Sequence, residues 1–125
     1  MTTRYTLKPK QKTERRLDSI HETRIDAPSK QAFQALAAAQ GLSVRAALTQ
    51  LIEQHAVIRE PFTARQPRRW GVEAGGSKLH YNAMLPRVEV SPAVFMALIM
   101  DANRAGIRLT EAVRQLVWRC VQASG

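Results

Sequence analysis

Residues 87–92, Arg87-Val88-Glu89-Val90-Ser91-Pro92, run into AVFMALIMDANRA (93–105) and then Gly106-Ile107-Arg108-Leu109-Thr110. Val88 and Val90 alternate with Arg87 and Glu89, the period of a short strand with one apolar face. Ser91 followed by Pro92 is a helix start, because a serine oxygen accepts an unpaired amide and proline suits the first helical position. Val94, Phe95, Leu98, Ile99 and Ala102 then fall on one stripe, and Gly106 suits the left-handed position that stops a helix. A second amphipathic helix begins at once, with Leu109, Val113, Leu116, Val117 and Cys120 at helical spacing.

The same plan occurs earlier in the chain. At a spacing of 65 residues, Thr23-Arg24-Ile25-Asp26-Ala27 lies over Val88-Glu89-Val90-Ser91-Pro92 without a gap. Ala32, Ala37, Gly41, Ala47, Gln50 and Leu51 then fall on identical residues: Ala97, Ala102, Gly106, Ala112, Gln115 and Leu116. Thr23 and Ile25 are expected to point inward and Glu22 and Arg24 outward. Asp26, with Pro28 close behind, opens a helix carrying Ala32, Phe33, Leu36 and Ala37, and Gly41 closes it. Val44, Ala47, Leu48, Leu51, Ile52 and His55 make the stripe of the next helix. Each half therefore reads strand, helix, glycine turn, helix. A unit of about 35 residues cannot bury both apolar faces alone and needs a second copy. The expected fold is mainly α with a short antiparallel β-ribbon. Two arrangements stay open, pairing of the halves within one chain or of each half with its twin in a homodimer or higher oligomer.

Charge divides the 125 residues further. The chain is basic, net +9, and the surplus lies mostly outside the two apolar segments. Residues 1–19 carry Arg4, Lys8, Lys10, Lys12, Arg15 and Arg16 against Glu14 and Asp18, and are expected to form a basic flexible arm or a solvated tail. Residues 20–57 form the first repeat and 85–125 the second. Residues 58–84 between them form a basic linker with Arg65, Arg68 and Arg69, and at that length it is too long for an idle loop. In Arg68-Arg69-Trp70 the arginines suit a nucleic-acid backbone and the indole can stack on a base, or Trp70 covers an edge of the core. A basic surplus of this kind suits a polyanionic partner such as nucleic acid.

Other classes find little support. One cysteine permits no internal disulfide, and His21, His55 and His80 are not spaced with acids or Cys120 as metal ligands would be. His55 and Cys120 lie on apolar stripes and are expected to pack there. Gly75-Gly76-Ser77-Lys78 lacks the preceding strand and glycine spacing of a phosphate loop. No catalytic residue, cofactor or metal is expected, and the chain does not read as an enzyme. No apolar run of about 18 residues suggests a membrane span, and the first residues lack the apolar middle of a signal peptide. The expected location is cytoplasmic, associated with the nucleoid.

Glu22-Thr23-Arg24-Ile25-Asp26 with Gly41-Leu42-Ser43, and Arg87 to Pro92 with Gly106 to Thr110, resemble the ribbon–helix–helix (Arc/MetJ-like) family of DNA-binding proteins. The resemblance covers residues 20–56 and 85–122, in two tandem copies, like the fused form found in an accessory protein of conjugative DNA transfer. It implies a ribbon in the major groove of double-stranded DNA, with Glu22, Arg24, Arg87 and Glu89 facing the bases. It also implies phosphates held at the N-termini of the second helices, at Leu42, Ser43 and Val44 and at Arg108, Leu109 and Thr110. Arg65, Arg68, Arg69, Lys8, Lys10, Lys12, Arg15 and Arg16 would add phosphate contacts and Trp70 a stacking one. Glu22 is expected opposite Arg87, so the ribbon charges also suit a salt-bridged exposed surface. The implied role is transcription regulation, as a plasmid- or phage-type repressor, or relaxosome accessory work in conjugation. The alternatives are a protein-interaction module, such as an antitoxin or assembly subunit bound to a protein partner of a mobile element or toxin–antitoxin system, and an RNA-binding component.

Overall fold

The computed structural model describes residues 17–64 and 81–124, and all structural statements concern these. The chain runs β1 (Asp18–Ile20), β2 (Thr23–Ile25), α1 (Ala27–Ala39), α2 (Val44–Ile58), β3 (Ala83–Leu85), β4 (Val88–Val90), α3 (Pro92–Ala105) and α4 (Leu109–Ser124). It is mainly helical, with short antiparallel strand pairs. The second four elements each begin 65 residues after the first four.

Local chemistry sets the helix ends. Asp26 and Ser91 hold extended backbone, and their side chains accept from the amides of Ser29 and Val94. α1 and α3 end alike. Gly41 and Gly106 adopt φ of 73° and 74°, where a side chain would be strained. The amides of Leu42 and Ile107 reach back to the carbonyls of Ala37 and Ala102, which satisfies last-turn oxygens and folds an apolar residue onto the core. Ser43 caps α2 by accepting from the Ala46 amide.

β1 pairs with β4 and β2 with β3, so strands of the first half pair with strands of the second within one chain. The two pairings share one register: Asp18↔Val90 through Ile20↔Val88, then Thr23↔Leu85 through Ile25↔Ala83. Continuing it sets His21 opposite Arg87 and Glu22 opposite Pro86. The expected pairing of Glu22 with Arg87 is therefore one residue out. Pro86 has no amide to give the ladder, and regular pairing is interrupted there. The break also resets the pleat, because Ile20 and Thr23 are both buried, as are Leu85 and Val88. Each end of the ribbon thus keeps an apolar inner face. Thr23 tolerates its inward position because its hydroxyl donates to the His21 carbonyl at 3.4 Å.

One core joins both halves. α1 packs on α4, α2 packs on α3, and each helix touches a strand. Phe33, Leu48 and Ile52 from the first half meet Leu98, Val113 and Val117 from the second, all buried. Asp18 and Ser19, which fall in the arm by charge, are strand residues, and Ala83 to Leu85, which fall at the end of the linker, are another. Phe62 of the linker is buried in the core cluster.

Two buried carboxylates tie elements together. Asp101 of α3 is 5 % exposed and accepts Arg59 Nε at 2.6 Å and Nη2 at 2.8 Å, with His55 Nε2 at 2.8 Å. The Arg59 guanidinium holds the Asp101 carboxyl at about 2, against the upward push of burial. Asp26 accepts from Ser29 and from Trp118 Nε1 at 3.0 Å. Burial pushes its carboxyl up, but these hydrogen bonds outweigh it and leave it below the ordinary carboxylate range. Arg114, also buried, donates to the Arg24 carbonyl at 2.9 Å and lies over the Tyr81 ring, fastening α4 to β2.

Candidate nucleic-acid interface

Glu22, Arg24, Arg87 and Glu89 are all exposed on the ribbon, as their alternation with Thr23, Ile25, Val88 and Val90 predicts. The register adds Ser19, His21 and Met84 to the same surface. Its two ends differ. At the β1–β4 end Arg87 donates to Ser19 Oγ at 2.7 Å and lies 3.8 Å from Glu89, so its charge is partly engaged. At the other end Arg24 stands opposite Met84 and makes no ion pair among the described residues.

An open groove of about 460 Å³ separates the ribbon from the start of α2. It brings together Glu22, Met84 and Pro86 of the ribbon, Lys30 of α1, and Ser43 and Arg45 at the start of α2. The first-turn amides of α2 have no intrahelical partner, and the positive end of the helix dipole lies with them. Ser43 Oγ already accepts one of these amides, leaving its proton to donate outward. Val44 is half-buried and packs on the core, so only its backbone is offered. At the start of α4, Arg108 is exposed and Thr110 half-buried. Lys8, Lys10, Lys12, Arg15, Arg16, Arg65, Arg68, Arg69 and Trp70 lie outside the described residues.

Sequence reasoning missed Lys30, Arg45 and Met84. The first two are ordinary surface cations of helices, and only their position beside the ribbon gives them meaning. A signal was present for another property. At the spacing of 65, Glu22 corresponds to Arg87 and Arg24 to Glu89, so charge inverts at both positions. Arg45 likewise corresponds to Thr110, Lys30 to Phe95 and Ser43 to Arg108. The two ends of the ribbon are chemically different despite their shared backbone plan.

His55 is buried against Asp101, and the ring of Phe62 stacks on it at 4.6 Å. Among the described residues no group of His, Cys, Asp and Glu could hold a metal ion, and no helix is long and apolar enough to cross a membrane. No protein-family model, curated protein or solved structure matches the chain.

Proposed function

We propose that the chain is a tandem ribbon–helix–helix protein that binds double-stranded DNA in a sequence-specific way, as a repressor or as an accessory protein of DNA transfer. The observation that carries this reading is the single-register ribbon with a polar, exposed outer face, flanked by a groove where Lys30, Arg45 and the α2 amides converge. A two-stranded ribbon fits the major groove, and unpaired helix amides beside two cations suit a phosphate. The basic surplus, net +9, supplies the remaining attraction.

The inversion of charge between the two ends gives the reading a further property. A palindrome requires the same side chain at both half-sites, whereas this ribbon offers Arg24 at one end and Glu89 at the corresponding place. The site is therefore asymmetric and bound in one orientation. Arg24 is the base reader, because Arg87 already serves Ser19 and Glu89.

Selection from a fragment library of the source DNA at about 0.15 M salt, where weak ionic binding is suppressed, tests the reading. Recurrent, non-palindromic sequences among the retained fragments are expected. A featureless smear that vanishes with added salt would refute sequence-specific binding, and stronger retention of RNA would redirect the reading to RNA.

A further inference from the structure

The linker residues Pro61, Phe62 and Thr63 occupy a groove in the second half, and that docking serves as a template. Phe62 is the plug, 6 % exposed, stacked on His55 at 4.6 Å with the Arg119 guanidinium 5.1 Å from its ring centre. Asp101 and Ala105 line the remaining gap beside it. Gln115 fixes the backbone. Its Oε1 accepts from the Thr63 amide and its Nε2 donates to the Thr63 carbonyl, both at 2.9 Å, as a neighbouring strand would.

A corresponding groove exists in the first half, open to solvent, with a volume of about 240 Å³. Set back or forward by 65 residues, His55 becomes Cys120, Asp101 becomes Leu36, Ala105 becomes Gln40, Gln115 becomes Gln50 and Arg119 becomes Gln54. All five of these line the open groove. Gln50 is the same residue as the one that grips Thr63, and no hydrogen bond engages its amide among the described residues. The carboxylate and the cation of the filled groove are replaced by Leu36 and Gln54, and no lining side chain is charged. An apolar cavity of about 150 Å³ already admits benzene, so there is room for an aromatic ring.

We propose that this groove between α1, α2 and α4 binds an extended peptide segment of a partner protein. The segment presents an uncharged aromatic side chain to the groove, and the backbone of its next residue pairs with the Gln50 amide. The filled groove identifies this ligand chemistry, because it holds such a segment on the corresponding residues. None of the ribbon residues or of the cations beside them lines the groove, so the proposal is independent of DNA binding.

The test uses the full chain and a fluorescein-labelled peptide with the sequence of residues 59–64, Arg-Glu-Pro-Phe-Thr-Ala. Cys120 is the chain's single cysteine and lines this groove alone, so its reaction with a maleimide reports occupancy there. Saturable binding by anisotropy is expected, together with about tenfold slower Cys120 modification. Gln50→Ala, or Ala for Phe in the peptide, should each weaken the effect about tenfold, whereas Gln115→Ala should leave Cys120 protection in place. Absence of saturable binding, or protection indifferent to Gln50→Ala, would overturn the proposal. Protection that grows with protein concentration in a dimer, without peptide, would also overturn it and assign the groove to a second copy.

Discussion

Replacing Asp101 with leucine removes the acceptor that both His55 and Arg59 use. His55 is 4 % exposed and would keep a buried ring nitrogen without its partner, at a cost of ~1–3 kcal/mol. Arg59 behaves differently, because its side chain is 39 % exposed and can turn to water. The expected loss is therefore about 2 kcal/mol, short of the ~3–5 kcal/mol of a fully enclosed pair. The other half of the molecule indicates the repair. At the corresponding positions it carries Leu36 and Cys120 in place of Asp101 and His55. The double variant Asp101→Leu, His55→Cys removes both polar groups and should return to within ~1 kcal/mol of the parent, since apolar replacement of a buried pair is often neutral. Urea unfolding at pH 7, followed by far-ultraviolet circular dichroism, measures all three proteins. A loss below ~0.5 kcal/mol in the single variant, or a double variant no more stable than the single, would refute the reasoning.

Acid should unfold the protein through the same residue. The Asp101 carboxyl lies at about 2 when folded against an ordinary 3.8, so the unfolded chain takes up the proton more readily; its contribution is whole above about pH 4 and lost as pH falls towards 2. Asp101→Asn should flatten that limb in a pH titration of the circular dichroism signal. Leu98 is fully buried in the core shared by both halves, so Leu98→Ala should cost ~2–5 kcal/mol and lower amide-exchange protection in all four helices together. Independent loss of one half would contradict a single core. On the DNA site, Arg24→Ala should relax preference at one base pair by ~1–3 kcal/mol in a competition assay, while Arg45→Ala should weaken all sequences alike and lower the salt slope by about 1.

The helices, their caps and the two glycine stops were legible because each rests on residues within a few positions. Asp26, Ser91, Gly41 and Gly106 act on neighbouring backbone, and the apolar stripes follow the helical period. The spacing of 65 carried the strand positions as well, including the inward Thr23. What escaped was decided across the chain. Asp18 to Ile20 offers a single buried apolar residue, and it forms a strand because Val88 to Val90 pair with it. The partner of Arg87 was misplaced because Pro86 interrupts the ribbon at its centre, a break no local pattern announces. Phe62 is one aromatic residue among linker residues, and its burial depends on a groove built from α2, α3 and α4. Asp101 did leave a trace: a carboxylate stands where the other half has Leu36, on a stripe that faces a neighbouring helix. For the interface, the outward ribbon residues were readable from alternation, but the gathering of Lys30 and Arg45 beside them required the fold.

The ribbon also dictates when the protein can fold. Residues 18–25 pair only with residues 83–90, so even the nearest paired residues, Ile25 and Ala83, lie 58 positions apart. At ~5–20 residues per second on the ribosome, the first strand waits several seconds for its partner. Throughout that interval Phe33, Leu48 and Ile52 have no second half to cover them. Closing so long a loop before any contact rewards it places folding in one late, slow step. A chain released partway through the linker would thus be an adhesive fragment with an unpaired strand edge, not a smaller working unit.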